Sequence, residues 1–267
     1  MAIYIVKSWY KKGETGPIWV PKTWSGLTSF DGENVWTYNG STYYSSGTSQ
    51  YILNPSTDTW SSYTWTNLTN FNGSYIWIDD IYNDTAIYSN SNSQYKLAGS
   101  NTWSSVSWTT LSKPNGRNIY KINNNIYHSQ TTSTAGSNYR LNSATKWSSV
   151  WKTSDKLSGY YVWYVDSNVY YSNGTTHKYY DSNPGVTTSW PTKTWYELTD
   201  FDGYRIWNDN DNNIYYSTQT DQYVLNKLTD TWSQKQWSGL TNFYGNMVWK
   251  LGNKIYYSYG TDQYELK

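Results

Sequence analysis

Apolar and polar residues alternate along this chain in short bursts, and the bursts return in a fixed order. Tyr43-Tyr44-Ser45 and Gln50-Tyr51-Ile52-Leu53 flank the turn-forming run Ser46 to Ser49, and the same succession recurs far downstream as Tyr256-Tyr257-Ser258 and Gln263-Tyr264-Glu265-Leu266. Period-two alternation in short runs bounded by Gly, Asn and Ser predicts β-strands joined by tight turns. The recurring frame is W-x-x-L-x-x-F-x-G-x-x-(I/V)-W, then I-Y-Y-S, then Q-Y-x-L-N, then T-W-S. It predicts four strands per unit: A like Asn34-Val35-Trp36, B like Tyr43-Tyr44-Ser45, C like Gln50 to Leu53, and D around Trp60.

Tryptophan marks the period. The first Trp of each unit is Trp24, Trp65, Trp108, Trp151, Trp195 and Trp237, at spacings of 41, 43, 43, 44 and 42 residues. The second is Trp36, Trp77, Trp163, Trp207 and Trp249, with Tyr120 in the third unit, and the third is Trp60, Trp103, Trp147, Trp190 and Trp232. The sixth unit stops at Leu266-Lys267 without its third Trp, and Trp19 stands five residues before Trp24, as Trp60 does before Trp65. Trp9 alone, of the 18 Trp, has no place in the frame. Four strands in about 40–50 residues is the period of a propeller blade. The expected fold is all-β, a six-bladed β-propeller of four-stranded antiparallel blades, closed by the strand around Trp19 pairing with the one around Leu266. Such closure removes the exposed sheet edges that an open array would leave. Residues 17–267 form this ring, and residues 1–16, with Trp9, are expected to pack outside it.

Tyr51 to Trp60 (YILNPSTDTW) and Val224 to Trp232 (VLNKLTDTW) resemble the second half of a kelch repeat. The kelch Gly-Gly doublet after strand B is missing, Tyr44-Ser45-Ser46-Gly47 standing there, so the resemblance is to a degenerate form. It implies fold more than function. The overall style of the repeat is similar to that of propellers in phage tail and host-adhesion proteins, which implies a virion protein.

Composition narrows the function classes. Aromatics make up 20% of the chain, with 31 Tyr, so the apolar volume sits in rings suited to a half-buried pleated surface. The net charge is +1 without a long run of one sign, which argues against nucleic acid or an anionic membrane as partner. With 0 Cys and only His128 and His177, neither a thiolate nor a histidine-rich metal site is expected, and no cofactor. The apolar stretch in MAIYIVKSWYKKGE is too short for a signal peptide, so the expected location is a virion assembled in a host cytoplasm, or else the cytoplasm itself.

Catalysis needs a constellation peculiar to one or two units. His128 replaces the second Tyr of strand B and His177 opens strand C in the fourth unit; both are expected at the surface or at strand edges. Ser56 to Trp60 lacks the Gly of a sialidase Asp box, and only Arg117, Arg140 and Arg205 are available for an arginine triad. Asp209 to Asn213 begins like a calcium loop but lacks its Gly and distal Glu, and reads as a hairpin turn. The expectation is therefore that the chain carries no chemistry of its own, a glycan-active enzyme and a cellular kelch-type interaction domain being the alternatives.

Strand direction places the D–A and B–C loops on one face. There, the two positions after the repeat Gly vary among the units: Glu33, Ser74, Arg117, Tyr160, Tyr204 and Asn246, followed in turn by Asn34, Tyr75, Asn118, Tyr161, Arg205 and Met247. Variation within a rigid repeat is what a site grafted on a scaffold would show. The candidate ligand-binding residues are Glu33, Tyr75, Arg117, Tyr160, Tyr204, Arg205 and Asn246, with the long loop Gln130 to Ser137 as a rim. The partner they suggest is a host-surface carbohydrate or a neighbouring virion protein.

Overall fold

Each blade starts from a glycine. In the computed structural model, which describes residues 16–131, 136–151, 157–180 and 190–267, the frame Gly opens a three-residue 3-10 turn that leads into strand A. The first is Gly32–Asn34 and the last Gly245–Met247, and each turn touches the next around a closed ring of six. A Cβ on Gly73 would lie 2.1 Å from the Asn34 carbonyl oxygen of the preceding turn, and one on Gly32 would lie 2.1 Å from that of Met247. Only glycine lets the turns approach so closely, and the contact of Gly32 with Met247 joins the sixth unit to the first.

Six sheets follow from the six turns. The first blade contains Val35–Tyr38, Ser41–Ser46, Ser49–Asn54 and Thr59–Ser62, all antiparallel neighbours. The second contains Ile76–Asp79, Thr85–Ser89, Gln94–Leu97 and Trp103–Ser105, and the third Ile119–Ile122, Asn125–Thr131, Gly136–Ser143 and Lys146–Trp151. The fourth has Val162–Val165, Asn168–Asn173 and Thr176–Tyr179. Among the described residues its outer strand is a bridge between Lys178 and Thr192, supported by bonds from Tyr179 N–H to Pro191 O and from Lys193 N–H to His177 O. The fifth contains Ile206–Asn208, Ile214–Thr218, Asp221–Asn226 and Thr231–Gln234. The sixth, Val248–Leu251, Lys254–Tyr259 and Asp262–Leu266, takes its fourth strand from Trp19–Pro21, with Trp19 opposite Leu266 and Pro21 opposite Tyr264. Reciprocal 2.9 Å bonds between Ile18 and Lys267 extend that pairing.

The recurrence of residue types records recurring contacts. The strand A indole donates to the strand B serine in five blades, at 2.9 Å for Trp36 to Ser45 and 3.0 Å for Trp163 to Ser172; in the third blade the Tyr120 hydroxyl meets Ser129 at 2.7 Å. The strand C glutamine reaches the next unit: Gln50 donates to the Gly47 and Phe71 carbonyls, and Gln263 to those of Gly260 and Phe30. The tryptophans fill the spaces between blades. Trp36, Trp65, Phe71 and Trp103 form one such cluster, with Trp36 stacked on Trp65 at 5.6 Å. At the junction of sixth and first blades the same places are held by Trp249, Trp24, Phe30 and Trp60. The third-position indole N–H groups of Trp19, Trp60, Trp103, Trp147, Trp190 and Trp232 have no hydrogen-bond partner among the described residues. Those of Trp60 and Trp103 are surrounded by ring neighbours, such as Phe30 and Phe71 at 5.3 and 5.4 Å. Contacts of an N–H with ring faces are weak but favourable.

Both histidines are buried, which corrects their expected surface position. His128 is 0% and His177 6% exposed. His128 fills the slot of the strand B tyrosine, its Nε2 accepting the Asn115 N–H at 3.1 Å. His177 stands in the strand C glutamine slot, its Nε2 2.9 Å from the Thr199 carbonyl and its ring stacked on Phe201 at 4.5 Å. Position in the repeat outweighs residue type. The segment expected to dock outside the ring, with Trp9, lies outside the described residues apart from Gly16, as do residues 132–135 of the expected rim loop.

Candidate functional site

The first residue after each frame Gly faces the axis. Glu33, Ser74, Arg117, Tyr160, Tyr204 and Asn246 line a central cavity of about 300 Å³ together with Gly116. B–C loops share this end, as expected: Gly47 N–H bonds to Asn72, Gly174 N–H to Asp202 and Gly260 N–H to Asp31, each linking one blade to the entry of the next.

The cavity wall has two chemically distinct halves. On one side Arg117 donates through Nε and Nη2 to Ser74 Oγ, at 3.3 and 2.7 Å, and its Nη2 lies 3.6 Å from Glu33 Oε1. Asn246 donates to Glu33 Oε2 at 3.3 Å, so four blades contribute to one polar array. On the other side Tyr160 and Tyr204 stack with centroids 4.7 Å apart and planes 17° apart. Burial drives the Tyr160 hydroxyl up to about 12; the Arg117 charge opposes that shift and the Glu33 charge adds to it. The Tyr160 phenol is therefore uncharged at neutral pH. The set can stack an apolar ring face and hydrogen-bond hydroxyl or carboxylate groups at its rim.

The remaining two sequence candidates sit behind the wall. Tyr75 lies under the Arg117 guanidinium, 4.7 Å from ring centroid to Cζ. Arg205 points away from the axis, donating to the Tyr204 hydroxyl at 2.8 Å and to Thr218, with its guanidinium 5.5 Å from the Tyr244 ring. Successive residues of a 3-10 turn project about a third of a turn apart, so the first lines the axis and the second does not. Two participants were missed. Ser74 belongs to the frame but is small, and Tyr244 precedes the frame Gly, where the other units have Asp31, Asn72, Asn115, Ser158 and Asp202. An aromatic at a position otherwise held by short polar residues was a readable signal.

Asp209 to Asn213 forms the hairpin turn expected of it. The Asp209 carboxylate accepts from the Asp211 and Asn213 N–H groups at 2.9 Å and from the Tyr215 hydroxyl at 2.9 Å. Among the described residues no three His, Asp or Glu side chains group as metal ligands, and no helix is long and apolar enough to cross a membrane.

No protein-family model matches the chain, and no curated protein does, so the kelch likeness rests on the motifs alone. Solved structures do match. A "putative gluconolactonase" superposes with a TM-score of 0.57 at 13% identity, over 95% of this chain and 92% of that one. The extracellular domain of a "putative one component system" from B. thetaiotaomicron gives 0.51 at 15% identity, over 95% of this chain and 37% of that one. Virginiamycin B lyase from Staphylococcus aureus gives 0.48 at 9% identity, over 94% and 99%. The expectation that the chain carries no chemistry is corrected by the first of these, a structure named for an enzyme; the fold is no ground for excluding catalysis. At such identities the likeness extends to the fold alone, and the proteins that share it are of varied description.

Proposed function

We propose that the protein is a recognition module whose ligand is a carbohydrate held at the axial mouth, and that it serves in a phage particle contacting the host surface. The observation that carries this reading is the division of one cavity between a stacked tyrosine pair and the Arg117–Glu33–Asn246–Ser74 array. Sugars present an apolar CH face and a rim of hydroxyl groups, and recognition of both needs an aromatic plate beside fixed donors and acceptors. The virion setting is supported by the resemblance of the repeat style.

A glycan array probed with the whole chain tests the binding. The expected result is retention of a restricted set of glycans, lost in Tyr160→Ala and in Arg117→Met. Binding that survives both substitutions, or none to any glycan, overturns the assignment to the mouth. The same glycans are to be assayed for product release, since the fold also serves enzymes. A coding neighbourhood without tail or capsid genes would remove the virion setting while leaving the site.

A further inference from the structure

From the mouth a row of side chains runs around the cavity wall and on to the sixth blade. From Arg117, rings and guanidinium groups succeed one another without a gap: 6.0 Å to Tyr160, 4.7 Å to Tyr204, 5.2 Å to Arg205, 5.5 Å to Tyr244 and 5.9 Å to Tyr259. The last is 46% exposed, at the end of strand Lys254–Tyr259. All six groups belong to axial turns, D–A connections or the B–C end of a strand, so the row lies on one face, from the cavity wall to the end of the second strand of the sixth blade. Each step is close to the length of one pyranose unit.

The guanidinium groups at both ends of the inner segment keep hydrogen-bonding capacity that their neighbours do not fill. Arg117 holds Ser74 at hydrogen-bond distance, Glu33 stands off at 3.6 Å, and its Nη1 has no partner among the described residues. Arg205 donates to hydroxyl groups of Tyr204 and Thr218, and no Asp or Glu pairs with it among the described residues. Arg205, with only hydroxyl partners, and the Nη1 edge of Arg117, beside a long ion pair, retain the preference of a planar guanidinium for a carboxylate. Resting on the reading of the mouth as a carbohydrate site, we infer that the row from Arg117 to Tyr259 is an extended track for a linear, acid-bearing oligosaccharide, its carboxylates at Arg117 and Arg205 and its rings against the intervening tyrosines.

Calorimetric titration of the whole protein with galacturonic acid and its linear oligomers, monomer to hexamer, tests the track, beside neutral galactose oligomers of the same lengths. The expected result is affinity that rises with length, by about ten-fold or more from monomer to tetramer, and exceeds that of neutral oligomers. Arg205→Met should abolish the gain with length and leave the monomer bound. Tyr259→Ala, an exposed change that spares the fold, should reduce the gain for the longest oligomers. Affinity independent of length, or a gain insensitive to both substitutions, overturns the track while the mouth stands. Equal affinity for neutral oligomers overturns the acidic class. Absence of binding by every sugar, monomer included, overturns the mouth together with the track.

Discussion

His128 should make the fold sensitive to mild acid. Its imidazole is 0% exposed, meets Trp147 edge-on at 6.2 Å, and uses Nε2 to accept the Asn115 N–H, leaving Nδ1 without a partner. Burial lowers its pKa from the ordinary 6.5 to about 4. A proton on Nε2 would in addition face a donor. The unfolded chain therefore binds a proton at this residue from about pH 6.5 downward, and the folded chain only near pH 4. Stability is full above pH 6.5 and falls with acidification through that window, at up to about 1.36 kcal/mol per pH unit. Between pH 7.5 and 4.5 the loss from this one group comes to about 2.5 kcal/mol. The control is His128→Tyr, because Tyr44, Tyr88, Tyr171, Tyr216 and Tyr257 hold the corresponding place, and the hydroxyls of Tyr44 and Tyr257 bond to the backbone at Asp31 and Tyr244 as His128 does at Asn115. Urea unfolding of both proteins across that range cancels the carboxylate contributions they share. Parallel stability curves would refute the reasoning, as would a folded-state titration of His128 near pH 6.5 by NMR, a simple spectrum with 2 His in the chain.

Other expectations follow from the same contacts. Gly73→Ala places a methyl group 2.1 Å from the Asn34 carbonyl oxygen and should cost about 3 kcal/mol or prevent folding, read by thermal melting. Ser172→Ala leaves the buried Trp163 N–H without its 3.0 Å acceptor and should cost about 1–3 kcal/mol in urea unfolding. Trp19→Ala should cost about 3–5 kcal/mol, whereas Leu228→Ala, at a residue 97% exposed, should stay within about 0.5 kcal/mol. Glu33→Gln should lower the Tyr160 pKa from about 12 and Arg117→Met should raise it, followed by carbon-13 NMR of labelled tyrosine.

Much of the fold was legible because the contacts between blades repeat. A residue such as Trp60 or Gly73 meets the same surroundings in every unit, so its recurrence is a direct trace of packing. The pairing of Trp19 with Leu266 could be read for the same reason, as a Trp missing from one unit and present before another. The start of strand A was displaced: Asn34 lies in a 3-10 turn, because the close approach at Gly32 demands a tighter turn than the apolar pattern reveals. The histidines misled because a polar type suggests exposure, whereas a slot shaped for Tyr or Gln imposes burial. At the site, divergence after the frame Gly picked out Glu33, Arg117, Tyr160, Tyr204 and Asn246, which line the cavity. It could not separate these from Tyr75 and Arg205, because both positions after the Gly vary and only the geometry of the 3-10 turn decides which of them lines the axis.

The partnership of Trp19–Pro21 with Asp262–Leu266 also orders events in time. Most hairpins here join neighbours in sequence and can form as soon as they emerge from a ribosome, but this one waits for a strand far downstream. Until then the early segment stays solvated and the late one offers an unguarded edge. Loop entropy makes so distant a joining slow. Amide exchange should accordingly find its least protected strand pair here, and a protease its first foothold.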